Sequence, residues 1–393
     1  MNQLTCSVEQ TEDQFLVGVY HRYPLVLASG QGCYLFDTQG RRFLDAVTGV
    51  GVNALGHAHP KILSVLIEQA CQGVHFSNLY YHPYQAQLAE RLCALSGLDR
   101  AFFCSTGTEA VEAALKAARA RGTTLGKTEF VAIERSFHGR TMGSLAVTGQ
   151  PKYRKPFEPF TPTTTFIAAN NLEQLEQAVN RKTAAIVLEP ILGEGGIIPL
   201  SHAFLHRARE LATQYGALLI ADEIQCGLGR TGRVFAYEWA GIRPDIVTVA
   251  KPLAAGLPLG AALFTEEAAA ALELGSHGTT FGGGPLACRV ALEFLNQMES
   301  LLPHVRQMGS YLSEELTRVW GRYSWVREIR GRGMMLGLQL DRPARPLVER
   351  AISHGLLANA TQETVLRLLP PYILEWEQAD ELVRTLDRVF KEA

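Results

Sequence analysis

Four short apolar runs, each followed at once by polar or charged residues, constrain this chain more than any other feature of its sequence. They are Phe-Val-Ala-Ile at 130–133, Ala-Ala-Ile-Val-Leu at 184–188, Ala-Leu-Leu-Ile-Ala at 217–221 and Ile-Val-Thr-Val at 246–249. Runs this short and continuous suit strands covered on both faces, and helical patterns at 171–179 and 203–215 separate them. The alternation predicts a mostly parallel central sheet with helices on both sides. The polar residues at the ends of the runs then share one edge of that sheet: Glu134 and Ser-Phe-His-Gly-Arg at 136–140, Glu189 with Gly193 and Glu194, Asp222 and Glu223 with Gln225, and finally Lys251. Charges gathered there are costly unless they serve a site, and that edge is where open α/β sheets bind ligands.

The rest of the chain fits around this sheet. Residues 34–45 alternate about a Thr-Gln-Gly turn and read as a hairpin; helical faces recur at 60–72 and 84–95. A strand at 101–104 runs into Ser-Thr-Gly-Thr-Glu and a strong helix former at 110–119. Beyond the glycine-dense stretch 277–285, a helix is expected over 286–297, then an α+β lobe with strands at 326–340 and 365–368. The Pro/Thr-rich 151–165 reads as a surface loop. The expected division is an amino-terminal segment of a small domain at 1–55, a large domain at 56–284 and the rest of the small domain at 285–393.

Composition excludes several function classes. A net charge of −2 leaves no electrostatic footprint for nucleic acid. The polar, acidic start lacks the pattern of a signal peptide and no run of eighteen apolar residues occurs, so a cytoplasmic protein away from the membrane is expected. Seven cysteines without a C-x-x-C pair argue for reduced thiols and against a zinc site, and no H-E-x-x-H occurs.

Lys251 ends an apolar strand at the ligand-binding edge, where a dry setting favours its neutral, nucleophilic form. Asp222 ends a neighbouring strand, and the turn at Gly107-Thr108 delivers free N–H groups to a helix start suited to phosphate. No nucleotide-binding glycine motif is present. An amine for an aldehyde, an anion for a pyridine nitrogen and a phosphate cradle together specify pyridoxal phosphate, with Phe137 as a flat face for its ring.

These residues also carry a resemblance. From Tyr-Leu-Phe-Asp at 34–37 through Leu-Gly-His-Ala-His-Pro at 55–60, Ser-Thr-Gly-Thr-Glu-Ala at 105–110, Phe-His-Gly-Arg at 137–140, Glu-Pro-Ile-Leu-Gly-Glu at 189–194, Ala-Asp-Glu-Ile-Gln at 221–225, Ala-Lys at 250–251, His-Gly-Thr-Thr-Phe-Gly-Gly at 277–283 and Val-Leu-Arg-Leu-Leu-Pro at 365–370, the chain resembles the class III pyridoxal-phosphate aminotransferases. Within them it is most similar to the acetylornithine and ornithine group. The resemblance implies the fold-type I architecture: a large domain around the parallel sheet and a smaller lobe built from both termini.

Carried over residue by residue, it implies that Lys251 holds the cofactor and shuttles the proton, that Asp222 pairs with the pyridinium nitrogen and that Gln225 reaches the ring hydroxyl. Phe137 stacks on the ring, Gly107 and Thr108 bind phosphate, and Thr280 reaches the phosphate of the neighbouring subunit in a homodimer. Arg140 and Arg367 grip substrate carboxylates, Glu194 pairs with Arg367 while an ω-amine donor is bound, and Tyr20 contacts substrate. Glu189 and His138 either support the site or pack at strand ends. Gly284 and Ala254-Ala255 depart from the family's usual asparagine and glycines beside the cofactor, and Val50 stands where ornithine aminotransferases carry a tyrosine. The expected reaction is transfer of the ω-amino group of N-acetylornithine to 2-oxoglutarate in arginine biosynthesis. The alternatives are a GABA- or ornithine-type ω-amino acid aminotransferase and a non-catalytic regulator of the same fold.

Overall fold

The structure, a computed structural model, describes residues 3–393. Its centre is a seven-stranded sheet in the spatial order Arg100–Cys104, Gly260–Phe264, Ile246–Val249, Leu218–Asp222, Thr183–Leu188, Glu129–Ile133, Thr163–Ile167. Neighbours from Ile246–Val249 to Thr163–Ile167 pair in parallel, while Gly260–Phe264 runs antiparallel to both of its partners. Every residue of Thr183–Leu188, Leu218–Asp222 and Ile246–Val249 is buried, as expected of strands covered on two faces.

Side chains alternate across the sheet and feed two separate cores. Phe130, Ala132, Ala185, Val187, Leu218, Ile220, Ile246 and Ala262 pack with the alanine-rich face of the helix Gly107–Thr124. Val131, Ile133, Ile186, Leu188, Leu219, Ala221, Val247 and Val249 join a larger core that takes in Phe204, Leu205 and Leu211 of His202–Tyr215 and Phe294, Leu295 and Met298 of Pro285–Trp320. Each fully enclosed Leu, Ile or Val contributes about 1.5–3 kcal/mol of transfer free energy.

Both ends of the chain meet beside this sheet. Tyr34–Asp37 and Arg42–Asp45 form the expected hairpin, to which Leu27–Gln31, not expected from the sequence, adds on one side and Leu356–Leu357 in parallel on the other through Leu356↔Leu44. A second antiparallel sheet has the order Val326–Arg332, Met335–Leu340, Val365–Leu368, Asn359–Thr361. Among the described residues no helix is long and apolar enough to cross a membrane.

Four readings need correction. The helix expected over 286–297 is Pro285–Trp320, 36 residues that run past an internal Pro303 because Met298, Val305, Met308, Leu312 and Leu316 keep one face buried. The strand Gly260–Phe264 has no counterpart among the expected elements, since Gly-Ala-Ala-Leu-Phe has no β-branched residue and follows a proline. The supposed loop 151–165 holds the turn of helix Pro151–Arg154 and the start of strand Thr163–Ile167, whose β-branched threonines look like loop polarity. The stretch 326–340 is two strands turning at Gly333, not one.

Candidate active site

The carboxyl ends of the parallel strands open on a cavity of about 420 Å³. Its lining comes from Ser105 to Thr108, Phe137 to Arg140, Glu189, Glu194, Asp222, Gln225, Lys251 and the turn Gly256 to Leu259. Nine of the predicted site residues therefore meet at one place: Lys251, Asp222, Gln225, Gly107, Thr108, Phe137, Arg140 and Glu194 line it, and Arg367 reaches Glu194 from behind.

Lys251 follows Ile246–Val249 after a single residue, half-buried against the cavity. Its amine has no hydrogen-bond or ion-pair partner among the described residues. Burial lowers its pKa below the usual 10.5, against the opposing pull of Asp222, Glu194 and Glu189. A free amine that sheds its proton readily is the state a nucleophile needs.

Asp222 ends its strand almost fully buried. Its Oδ1 accepts from the Ile224 N–H at 3.0 Å and the Thr248 hydroxyl at 3.2 Å, and its Oδ2 faces His138 Nδ1 at 2.7 Å. Three donors hold the carboxylate in one orientation and leave about one of its four lone-pair positions for a ligand. The His138 imidazole is fully enclosed and its Nε2 is buried without a partner. Burial acts to lower its pKa, but the hydrogen bond and charge of Asp222 outweigh that and raise it.

Glu189 lines the cavity and fastens two loops to it, accepting from the Phe137 N–H and the Gly193 N–H at 2.9 Å each. Burial pushes its carboxyl up to about 7, with His138 opposing and Asp222 adding to the rise. His138 and Glu189 thus both line the cavity.

Glu194 and Arg367 form a closed pair, Arg367 Nη1 to Glu194 Oε1 at 2.6 Å. The same nitrogen lies 3.3 Å from Gln225 Oε1, and Arg367 Nε donates to Asn359 Oδ1 at 2.7 Å. Burial would raise the Glu194 pKa, yet the guanidinium outweighs it and holds it low. Arg140 is exposed, its guanidinium 3.8 Å from the Tyr153 ring centroid and 5.4 Å from that of Phe137. Sequence pattern alone misses Tyr153, which lies in the stretch that reads as a loop.

At the other wall, Thr106 caps the helix Gly107–Thr124 through the Glu109 N–H, and Glu109 in return accepts from the Ser105 N–H at 2.8 Å. The first-turn amides of Gly107 and Thr108 have no acceptor within the helix. Thr108 Oγ1 sits in a hydroxyl cluster, 2.6 Å from Ser144 Oγ and 3.0 Å from Thr141 Oγ1, and Thr141 donates to Glu112 at 2.5 Å. Opposite them, Val52 lines the cavity just past an unusual turn in which Thr48, Gly49, Val50 and Gly51 all have positive φ. Asp45 holds that turn by accepting the Val47 and Thr48 N–H groups at 2.9 and 2.8 Å. Two such residues without glycine's freedom mark strain, which sequence periodicity cannot reveal. Val50 itself packs against the small cluster of Ile191, Ile197 and Cys226.

Two predicted residues do not join this cavity. Tyr20 is 75% exposed in a groove with Glu12 and Arg22. Thr280 is exposed on the 277–284 loop, which Asn78 holds by donating to the carbonyls of Thr279 and Gly282 at 3.1 Å each. The cavity's own groups fit pyridoxal phosphate: an unpartnered amine, a carboxylate with an open position, free helix-start amides and an unsatisfied buried imidazole nitrogen.

Comparison with known proteins agrees with this chemistry. Residues 18–390 match the family profile described as Aminotransferase class-III. The chain is 44% identical over 386 residues to the acetylornithine aminotransferase of Methanocaldococcus jannaschii, covering 97% of each. It superimposes with a TM-score of 0.95 and 30% identity on the ornithine aminotransferase of Toxoplasma gondii, a structure described as showing partial occupancy of PLP at its active site, over 99% of this chain and 94% of that one. The N-acetylornithine aminotransferase of Stenotrophomonas maltophilia K279a matches with a TM-score of 0.84 and 32% identity over 98% of each chain.

Proposed function

The chain belongs to the class III aminotransferases, and on that premise we propose that it moves the ω-amino group of N-acetylornithine, or a close N-acylated diamino acid, to 2-oxoglutarate. The observation that carries this reading is the closed Arg367–Glu194 pair beside the cavity. A donor presenting its ω-amine brings no carboxylate to Arg367, so the pair stays shut and neutral; a dicarboxylic acceptor brings one and takes the guanidinium from Glu194. Arg140, stacked on Tyr153 at the mouth, would then grip the remaining carboxylate of either substrate.

Family membership implies pyridoxal phosphate, which when bound supplies an electron sink for the carbanion at the substrate carbon. Lys251 would hold it and carry the proton at Nζ, Asp222 would face its ring nitrogen, and Gln225 its ring hydroxyl. Phe137 would cover a ring face, and the Gly107 and Thr108 amides would take its phosphate. Leu257, Pro258 and Leu259 give this part of the lining an apolar face.

Thr280 is read as serving a second copy of the chain. Leu79, Tyr80, Tyr81 and Phe281 beside it are 84%, 72%, 105% and 70% exposed, a large apolar surface for a partner to cover. A homodimer with shared sites follows from this reading. Tyr20, on another exposed segment, would meet substrate only in such an assembly.

Turnover with N-acetylornithine, ornithine and GABA, each with 2-oxoglutarate, tests the assignment. N-acetylornithine should give the highest kcat/KM. Preference for GABA or free ornithine overturns the choice of donor, and absence of all transfer by a yellow, cofactor-loaded protein overturns the reaction.

A further inference from the structure

Arg230 stands apart from every other arginine in the molecule. It is wholly buried in the loop that follows Asp222 and Gln225, with no carboxylate within ion-pair distance among the described residues. Nη1 donates to the Pro370 carbonyl at 2.5 Å and the Met334 carbonyl at 3.1 Å, and the guanidinium lies 4.6 Å from the Tyr372 ring centroid. Nε and Nη2 are buried with no partner. An unpaired, half-satisfied buried cation is expensive, and an apolar side chain of similar size would be cheaper for the fold alone. Local rules broken in this way tend to mark functional positions.

What Arg230 touches explains the expense. Pro370 lies just past Val365–Leu368, the strand that carries Arg367, and Met334 just before Met335–Leu340, the strand paired with it through Gly337↔Arg367. The loop and these strands are stitched at further points. Met334 N–H donates to Arg230 O at 2.9 Å, and Tyr372 Oη donates to Leu228 O at 3.0 Å. Gly333 fits only because it lacks a side chain, since a Cβ would come within 2.7–2.9 Å of the Arg230 and Thr231 backbone. Leu369 and Tyr372 are meanwhile pinned from the other side by the carbonyls of Ala46 and Ala54, at 2.7 Å each.

We infer that Arg230 is a positioning residue for the substrate carboxylate: by clamping the Pro370 and Met334 carbonyls it sets the strand on which Arg367 faces Glu194 and Gln225. The clamp fixes Arg367 relative to the loop that follows Asp222 and carries Gln225, so cofactor and carboxylate sites keep one spacing. Small displacements at such a site are costly, because a bidentate grip tolerates little misalignment. This inference rests on the reading of Arg367 as the carboxylate-binding arginine.

The test uses full-length protein reconstituted with pyridoxal phosphate and calorimetric titration with glutarate, an unreactive dicarboxylate, alongside steady-state kinetics. Arg230→Met should weaken glutarate and raise the 2-oxoglutarate KM by about tenfold, with kcat falling by less than about threefold. Arg230→Lys should recover part of the affinity, since an ammonium keeps the charge but not the planar fork. A folded Arg230→Met with unchanged glutarate affinity overturns the proposal. Should that variant fail to fold, Tyr372→Phe removes the hydroxyl that ties Leu228 and also interacts with the Arg230 guanidinium, and it must weaken glutarate by about threefold or more; no change there overturns the proposal equally. Arg367→Ala separates the two layers: if it leaves glutarate binding intact, the reading of Arg367 has failed, whereas loss with Arg367→Ala but not with the Arg230 variants defeats the clamp alone.

Discussion

His138 Nδ1 lies 2.7 Å from Asp222 Oδ2, inside the protein and away from water. The Asp222 charge and hydrogen bond overcome the effect of burial and keep the imidazole pKa above the ordinary 6.5. A group whose folded pKa is raised adds stability that is complete below its unfolded value and fades as pH climbs through the folded one. The cofactor-free protein should therefore lose a component of stability on the alkaline side of 6.5. His138→Gln keeps a donor for Asp222 but cannot titrate, so that component should vanish. Urea midpoints for both proteins at about pH 6 and about pH 9 decide it, and parallel losses in the two would refute the assignment.

Lys251 has the opposite sign. Its pKa is lowered chiefly by burial, so the neutral amine becomes available below the range usual for lysine. Capture of pyridoxal phosphate by apoprotein, followed by absorbance, should speed up with pH and level off below 10.5. Asp222 favours the ammonium form, so Asp222→Asn should move the midpoint lower still. A midpoint that rises in that variant contradicts the argument, and Lys251→Ala should stay colourless.

Breaking the Arg367–Glu194 pair should separate stability from acceptor binding. Glu194→Gln leaves Arg367 buried with only neutral partners and should cost about 1–3 kcal/mol, below the loss for a fully enclosed pair because Glu194 keeps 25% of its side chain exposed. The freed guanidinium should lower the 2-oxoglutarate KM several-fold. Thermal unfolding and initial-rate kinetics on one preparation test both halves; an unaltered KM would show that the pair does not gate the acceptor.

Gly139 gives a sharper steric prediction. At φ +136° it backs onto the hydroxyl cluster, and a Cβ there would meet Thr108 Oγ1 at 2.2 Å and Ser144 Oγ at 2.5 Å. Gly139→Ala should displace Thr108 and weaken cofactor affinity by at least about tenfold, with about 1–3 kcal/mol of lost stability. Fluorescence titration of the apoprotein with pyridoxal phosphate reads the first effect, and wild-type affinity would mean Thr108 does not bear on the phosphate.

The exposed apolar surface beside Thr280 predicts assembly. Tyr81→Asp with Phe281→Asp should yield a monomer by sedimentation velocity, with weakened cofactor retention, because a charge buried at such an interface is not tolerated. A wild-type monomer that binds cofactor tightly would remove Thr280 from the site.

Much of this molecule is legible in its sequence, for reasons that differ by region. The strand ends carrying Glu189, Asp222 and Lys251 can be read because short apolar runs are unambiguous when both sheet faces are covered. Thr248 and Arg230, by contrast, act through a strand's inner face and a loop whose neighbours are distant in sequence, and nothing local announces either. The positive-φ turn at 48–51 is hidden for a related reason: Thr48 and Val50 are held there by Asp45 and Leu369, contacts that only the fold creates. Tyr20 and Thr280 enter through resemblance alone, and in a single chain they stand apart from the cavity.

The one strand that runs against the rest has a mechanical meaning. Ile246–Val249 leaves the sheet and Gly260–Phe264 returns beside it, with Val249 paired to Ala261. Lys251 thus rides on a closed loop whose two feet are bolted to the same edge, unlike a connector that crosses to a distant strand. Anchoring at both feet limits how far the backbone carrying the Lys251 amine can travel. An amine on so short a leash revisits the same small volume again and again, which turns a chance encounter into a repeated one.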